Sequence, residues 1–150
     1  MRTERELRRI GWRELVHLPE LGLRGIPAKV DTGARTSALH VESQWRFIEG
    51  GVPWVGFRVR PSLRAGTMEA AAAIIDEREV SDSGGHRTVR PFIRTALQLG
   101  GVCRQVDINL TDRRGMLFPM LLGRTALAGA FAVDPAASFL HGRHRRRRAA

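Results

Sequence analysis

The chain has 150 residues, 43% of them hydrophobic, and its 25 Lys and Arg side chains outnumber its 15 Asp and Glu side chains, giving a formal net charge of +10. This balance predicts one globular domain with a hydrophobic core and excludes collagen-like, coiled-coil and wholly disordered chains. The single cysteine, Cys103, excludes a disulfide scaffold and a multi-cysteine zinc site. No apolar run approaches the roughly 20 residues of a membrane span, so we expect a cytoplasmic protein without membrane contact.

The positive charge is concentrated at the ends of the chain. Residues 141–150 contain five arginines and no acid, and residues 1–9 contain four arginines and two glutamates, which leaves a net charge of +3 for residues 10–140. We therefore predict a polar N-terminal arm (1–9), a nearly balanced folded domain (10–140) and a disordered Arg-rich tail (141–150). The tail serves either solubility or charge-based contact with RNA or the ribosome, and nucleic-acid contact is expected only there.

Short apolar stretches separated by turn residues predict strands from residue 10 onward. In chain order, the predicted strands cover residues 24–30, 53–60, 89–99, 102–111 and 116–122. Gly100 and Gly101 predict a two-residue hairpin between the third and fourth of these. Within the fourth, Val106, Ile108 and Leu110 alternate with polar residues, as in a half-buried strand.

Two further segments complete the predicted fold. Residues 67–80 are compatible with a helix, because alanine favours helix, or with a strand, because Ile74, Ile75 and the turn that follows permit one. Residues 125–130 are predicted to form one short helix. The sum is a small all-β domain with at most one helix near its C-terminal end.

The sequence lacks several sites that bind cofactors. It contains no glycine-rich Walker sequence and no strand–GxGxxG–helix unit for nucleotide phosphates. Its five histidines are dispersed, and only the two in the Arg-rich tail have helical ligand spacing, where arginines repel a cation. We therefore expect no metal and no cofactor. The mid-strand position of Cys103 favours a small buried residue over a nucleophile.

The turn formed by Asp31, Thr32, Gly33 and Ala34 is the strongest catalytic candidate. It follows an apolar strand, so its carboxylate is partly desolvated and still reaches a cleft. A second carboxylate at hydrogen-bond distance would share one proton with it, because two like charges that close do not both ionise. One carboxylate then activates water as a base and the other donates to the substrate carbonyl. An ordinary turn is the alternative, since Asp, Thr and Gly are common turn residues.

The order of motifs supports the catalytic interpretation. The Asp-Thr-Gly-Ala turn, a glycine-bearing turn at 81–85 and the run Leu-Leu-Gly-Arg at 121–124 together resemble the retropepsin-like aspartic peptidases. More closely, the chain resembles the bacterial family known as ATP-dependent zinc proteases, which is associated with the RimK ATP-grasp ligase. The segments that carry this resemblance are IGWRELVHLP (10–19), AKVDTGARTSALH (28–40), RPFIRTALQLGG (90–101), MLLGRTAL (120–127) and FAVDPAASFL (131–140).

The resemblance implies a small closed β-barrel of the retropepsin type with one short C-terminal helix. It implies that Asp31 is the catalytic carboxylate, that Thr32 hydrogen-bonds across a subunit interface and that Gly33 lets substrate approach the backbone. The implied substrate-binding residues are Ala34 in the cleft and Ser83, Gly84, Gly85 and His86 in a flap over residues 81–86. Arg35 is a further substrate-binding candidate on the strength of its own charge. Structural support of the site falls to Leu122, Gly123 and Arg124.

One chain carries one Asp-Thr-Gly turn, so the implied enzyme is a homodimer with its site on the two-fold axis. The resemblance implies that this enzyme is an aspartic endopeptidase that hydrolyses protein or peptide substrates. The alternative is a non-catalytic adaptor of the same fold that binds an ATP-grasp glutamate ligase or a ribosomal protein. Neither zinc nor ATP has ligands in the sequence, despite the family's name.

Two departures from viral retropepsins modify these expectations. The interval between Asp31 and Gly84 is longer, which predicts an inserted hairpin over residues 41–64. Position 35 is Arg where viral enzymes carry an acid. In a dimer, two Arg35 side chains would flank the cleft and favour carboxylate-bearing, for example glutamate-modified, substrates through bidentate pairing. A surface arginine with a local partner is the alternative.

Overall fold

The computed structural model describes residues 6–62, 64, 66–82, 84–112 and 117–142. Those residues form twelve strands, a 3₁₀ turn over Pro19–Leu21 and one short helix, α1, over Arg124–Leu127. The strands are β1 (Arg8–Ile10), β2 (Arg13–Leu18), β3 (Leu23–Val30), β4 (Ser37–His40), β5 (Ser43–Glu49), β6 (Val52–Val59), β7 (Met68–Ala73), β8 (Asp76–Ser81), β9 (Arg87–Leu99), β10 (Val102–Thr111), β11 (Met120–Leu122) and β12 (Phe131–Val133). In the described part of the chain, no helix is long and apolar enough to cross a membrane.

Six of these strands close a barrel. They hydrogen-bond in the order β10–β4–β11–β3–β2–β9, and β9 pairs with β10 to complete the ring. The β9–β10 hairpin turns at Gly100 and Gly101, whose φ values of 55° and 83° explain the need for glycine there. β8 pairs with β9 outside the ring. The predicted closed all-β barrel with one short C-terminal helix is confirmed.

The barrel interior is filled by side chains from alternate strand positions. On β10, Val106, Ile108 and Leu110 are buried, as the period-two pattern predicts. Ile26 and Ala28 of β3 are buried in the same core. The second face of β10 is polar, as predicted, but the exposure that a half-buried strand implies is wrong at Asn109, which is only 2% exposed.

The inserted segment is larger than a hairpin. β5, β6 and β7 form a three-stranded antiparallel sheet of their own, so a third strand joins the hairpin predicted over residues 41–64. Val55, Phe57 and Val59 of β6 are fully buried and connect this sheet to the core. Residues 67–80 therefore contribute two strands, and the helical alternative is wrong, because pairing of β7 with β6 outweighs the helix propensity of alanine.

Three local expectations need correction. The strand predicted over residues 116–122 is only Met120–Leu122, because Pro119 just before it has no N–H to donate and Leu117 is 84% exposed; residue 116 lies outside the described residues. The helix predicted over residues 125–130 ends at Leu127, two residues before Gly129 at φ 80°. Cys103 is exposed rather than buried, because it shares the outward face of β10 with Gln105 and Asp107.

The two ends of the domain are joined by a buried carboxylate. Glu14 of β2 is fully buried and accepts backbone N–H groups from Gly11 at 2.7 Å, Leu140 at 3.0 Å and His141 at 3.0 Å. The C-terminal segment passes so close to Gly11 that a Cβ there would lie 2.3 Å from the carbonyl oxygen of Ala137. Glu14 thus replaces water for three backbone donors, which is the condition for burying a charged group.

Candidate active site

The Asp-Thr-Gly turn begins directly after β3, and hydrogen bonds hold it from its first residue. The N–H of Asp31 donates to the carbonyl oxygen of Leu122 at 2.9 Å, and the N–H of Ala34 donates to the carbonyl oxygen of Asp31 at 3.1 Å. Oδ1 of Asp31 accepts the N–H of Gly33 at 3.1 Å, forming an Asx turn. The carboxylate is partly exposed, so it has a defined position and remains accessible.

Strand pairing explains why this turn meets a segment 90 residues away. β3 and β11 run parallel, with Ala28 opposite Met120 and Val30 opposite Leu122. Both strands therefore end at the same edge of the barrel. Asp31 and Gly123, which follow those ends, are brought together by the register.

Gly123 is packed too closely for any other residue. A Cβ at this position would lie 2.4 Å from the carbonyl oxygen of Thr36, which is nearer than real Cβ atoms approach backbone. The N–H of Gly123 donates to Oγ of Ser37 at 3.0 Å, and both residues are buried. This contact locks the start of α1 against the segment that follows the turn.

α1 then binds the turn through successive donors. The N–H of Arg124 donates to the carbonyl oxygen of Ala34 at 2.8 Å. Its Nη1 donates to the carbonyl oxygens of Thr32 and Gly33 at 3.0 and 3.2 Å. The N–H and hydroxyl of Thr125 both donate to the carbonyl oxygen of Arg35, at 3.0 and 2.9 Å. The turn is consequently supported at each carbonyl from Thr32 to Arg35.

The predicted flap segment forms the tip of the β8–β9 hairpin. Gly84, Gly85 and His86 are exposed there, and Ser83 lies outside the described residues. Oδ1 of Asp82 accepts the N–H groups of Gly84 and His86, both at 2.9 Å. These bonds stabilise the charged carboxylate, so the pKa of Asp82 is lowered from its ordinary value, chiefly by the His86 backbone bond.

The structure thus divides the predicted site residues into two groups. One hydrogen-bonded cluster contains the turn, residues 31–35, and its support, residues 122–124. Within the described structure, Gly84, Gly85 and His86 are not part of that cluster and lie on the exposed hairpin. The side chain of Arg35 is exposed, while its carbonyl oxygen is held by α1.

Three buried polar residues beside the site were missed by sequence reasoning as functional candidates. Ser37, Asn109 and Arg90 are 0%, 2% and 7% exposed. An alternation pattern does not show that a polar strand residue is buried when a neighbouring hairpin covers it. The arginine beside Pro91 and Phe92 was the one available hint, because a charge inside an apolar run requires a buried partner.

The described residues contain no group of three or more His, Cys, Asp or Glu side chains that could hold a metal ion. The ionisable group that the turn itself presents is the carboxylate of Asp31.

Comparisons with known proteins agree with this geometry. The RimB-like family model, described as "Retropepsin-like aspartic endopeptidase RimB", matches residues 9–144. The chain is 38% identical over 135 residues to a protein named probable alpha-L-glutamate ligase from Shewanella pealeana (strain ATCC 700345 / ANG-SQ1). It is 37% identical over 129 residues to one of the same name from Desulfotalea psychrophila (strain LSv54 / DSM 12343). These matches cover 89% and 85% of this chain.

The chain spans only 30% and 28% of the length of those two relatives. Among solved structures, a protein of unknown function from Legionella pneumophila is 28% identical, with a TM-score of 0.76. That alignment covers 91% of this chain and 99% of the Legionella chain. A similar fold therefore accounts for almost all of the Legionella chain, and a similar sequence forms less than a third of the two longer relatives.

Proposed function

Because the chain belongs to the RimB-like family of retropepsin-like aspartic endopeptidases, we propose that it hydrolyses peptide bonds with an aspartate dyad formed between two copies. The observation that carries the proposal is the Asp31 turn. It presents one partly exposed carboxylate, and every carbonyl from Thr32 to Arg35 is bound by α1. Such preorganisation is what a catalytic group requires and an ordinary surface turn does not.

The reaction needs two carboxylates with different protonation. Two Asp31 side chains at the two-fold axis share one proton. The ionised carboxylate takes a proton from water as the water oxygen attacks the scissile carbonyl carbon, and the protonated carboxylate gives its proton to the carbonyl oxygen. The tetrahedral diol then collapses: the protonated carboxylate gives its proton to the amide nitrogen, the ionised carboxylate takes a proton from a diol hydroxyl, and the C–N bond breaks. The dyad again holds one proton, and one water has been consumed.

The decisive experiment combines catalysis with assembly. We expect Asp31→Asn to reduce cleavage of a peptide library by about 10²–10⁴-fold while the folded barrel is retained. Mixing equal amounts of wild type and Asp31→Asn should form inactive mixed dimers. If chains exchange at random, the activity falls to about half of that of the same amount of wild type alone. Activity that survives Asp31→Asn, or is lost only with a chelator, would refute the dyad.

We further propose that the substrate is acidic or glutamate-modified. The exposed Arg35 lies directly beside the catalytic turn, and curated relatives carry the name of a glutamate ligase. A guanidinium binds a carboxylate in bidentate fashion. We expect glutamate-tailed peptides to be cleaved faster than alanine-tailed ones, and Arg35→Ala to remove that preference. The exposed Arg24, on the outer part of β3, provides the matched control. An unchanged preference in Arg35→Ala would exclude this role.

A non-catalytic adaptor is the second candidate, favoured by the relatives in which the matching region is a fraction of a longer chain. An adaptor would bind an ATP-grasp glutamate ligase or a ribosomal protein through its surface and would not need Asp31. If Asp31→Asn stimulates or binds a purified glutamate ligase as the wild type does, while neither protein cleaves peptides, the adaptor is favoured over the peptidase.

A further inference from the structure

A buried polar chain connects the base of the β8–β9 hairpin to the support of the catalytic turn. We use the term polar chain for Arg90, Asn109 and Ser37. Nη1 of Arg90 donates to Oδ1 of Asn109 at 3.0 Å, and Nδ2 of Asn109 donates to the carbonyl oxygen of Ser37 at 3.0 Å. Oγ of Ser37 accepts the N–H of Gly123 at 3.0 Å. The bonds run without interruption from β9 through β10 and β4 to the residue before α1.

The polar chain lies between the base of the β8–β9 hairpin and the start of α1. Arg90 lies on β9 just below the exposed Arg87, Thr88 and Val89, and its Nε donates to Oγ1 of Thr88 at 2.9 Å. Asn109 lies opposite Phe92 at the end of the β9–β10 ladder. The polar chain therefore begins where the hairpin leaves the barrel, and it ends at Gly123, the residue before Arg124 of α1.

Stability alone is a poor reason for these residues. Burying a guanidinium and an amide carries a desolvation cost that hydrogen bonds only offset, and well-packed apolar residues of similar volume are often at least as stable. What the polar chain adds is a defined orientation of its polar groups, because each hydrogen bond fixes the orientation of the next group. An apolar cluster would fill the space without fixing the Ser37 carbonyl or hydroxyl.

We propose that Arg90 is a positioning residue that couples the β8–β9 hairpin to the catalytic turn; as far as catalysis is concerned, this rests on the proposed peptidase function. Arg90 orients Asn109, Asn109 holds the Ser37 backbone, and Ser37 holds Gly123, on which Arg124 and the turn depend. A displacement of the hairpin base is transmitted to the turn through these three bonds. In this proposal Arg90 acts through Asn109 and Ser37, which makes it a positioning residue rather than a catalytic one.

The test compares two arginines on the same strand. Arg90→Met removes the buried donor, whereas Arg94→Met removes an exposed arginine whose Nε donates to Oδ1 of Asp107 on β10 at 2.8 Å. We expect amide hydrogen exchange at Gly123 and Asp31 to accelerate about tenfold or more in Arg90→Met and to be unchanged in Arg94→Met. Equal exchange at these two amides in Arg90→Met and wild type would overturn the coupling.

Two further variants separate positioning from general destabilisation. Arg90→Lys retains a donor group and should restore most of the protection at Gly123. Asn109→Leu should reproduce the loss of protection at Gly123 even if Arg90→Met does not fold.

In peptide cleavage, the loss of activity in these variants should appear in kcat rather than in KM. Because exchange is measured without substrate, a wild type that cleaves no peptide would defeat the proposed function only. Cleavage with unchanged exchange in both Arg90→Met and Asn109→Leu would defeat the coupling only.

Discussion

The Asp31 turn and the hairpin tip are both short, glycine-containing turns that begin with an aspartate, yet they are held in opposite ways. The turn after Asp31 is bound by residues some 90 positions away: the carbonyl oxygen of Leu122 accepts the Asp31 N–H, and Arg124 and Thr125 donate to the carbonyl oxygens of residues 32–35. The tip is held by bonds within five residues, centred on Asp82. A turn supported from another part of the chain keeps its geometry when its surroundings move. A locally closed tip keeps its own bonds when the rest of the hairpin shifts, which is what the proposed flap would require.

The largest expected effect comes from filling the closest contact under the Asp31 turn. Gly123→Ala places a Cβ against the backbone of Thr36, so we expect a loss of about 3 kcal/mol in the free energy of unfolding and loss of protection at Asp31. Urea unfolding and amide exchange measure both. In Gly84→Ala at the tip, the nearest atoms to the new Cβ are side-chain atoms at 3.3 Å or more, so stability should change by less than about 1 kcal/mol. Equal losses of unfolding free energy in the two variants would contradict the idea that close packing supports the Asp31 turn but not the tip.

A second variant tests whether long-range support is specific to the site. Glu14→Ala leaves the Gly11 N–H buried and releases Leu140 and His141, so we expect a loss of about 2 kcal/mol in unfolding free energy. Exchange should accelerate most at Gly11, with little selective change at Gly123. A selective loss at Gly123 would show that the C-terminal segment, as well as α1, supports the turn.

A smaller effect is expected from the exposed side chain of Arg124. Arg124→Met removes the donor to the Thr32 and Gly33 carbonyls but retains the backbone bonds of α1. We expect a roughly tenfold fall in kcat, equivalent to about 1.4 kcal/mol of transition-state stabilisation, with an unchanged KM. Arg104→Met, which removes the Nη1 bonds to the carbonyl oxygens of Ala126 in α1 and Ala128 just after it, is the control. A purely structural role would lower the two variants' activity equally.

The smallest effect concerns the tip and depends on pH. Because the folded pKa of Asp82 is lowered, its bonds are complete above the ordinary aspartate pKa of about 3.9 and are lost as the pH falls through the lowered value. Protection factors at Gly84 and His86 should therefore fall at acid pH, whereas Asp31 amide protection should not follow the same curve. Asp82→Asn should be about threefold less protected at neutral pH and lose the transition. A transition that persists in Asp82→Asn would assign it to another group.

Much of the fold could be predicted because it depends on local pattern. The apolar run before Asp31, the glycine pair at 100–101 and the alternation through Val106, Ile108 and Leu110 gave strands and a hairpin where the structure has them. The turn residues and their Leu-Gly-Arg partner were likewise identifiable by motif. The two strands of residues 67–80 were not decided by the sequence, because alanine prefers helix and only pairing with β6 overrides that preference.

By itself, the amino-acid order determined that this is a small β domain with its charge excess at the ends and one candidate carboxylate, Asp31. Strand periodicity and turn chemistry act over a few residues, so they are readable without a fold. Only the tertiary structure decided which face of β10 is outside at Cys103, that Asn109 and Arg90 are buried, and which residues hold the turn. Those outcomes depend on barrel closure and on the parallel register of β3 and β11, which join residues about 90 positions apart.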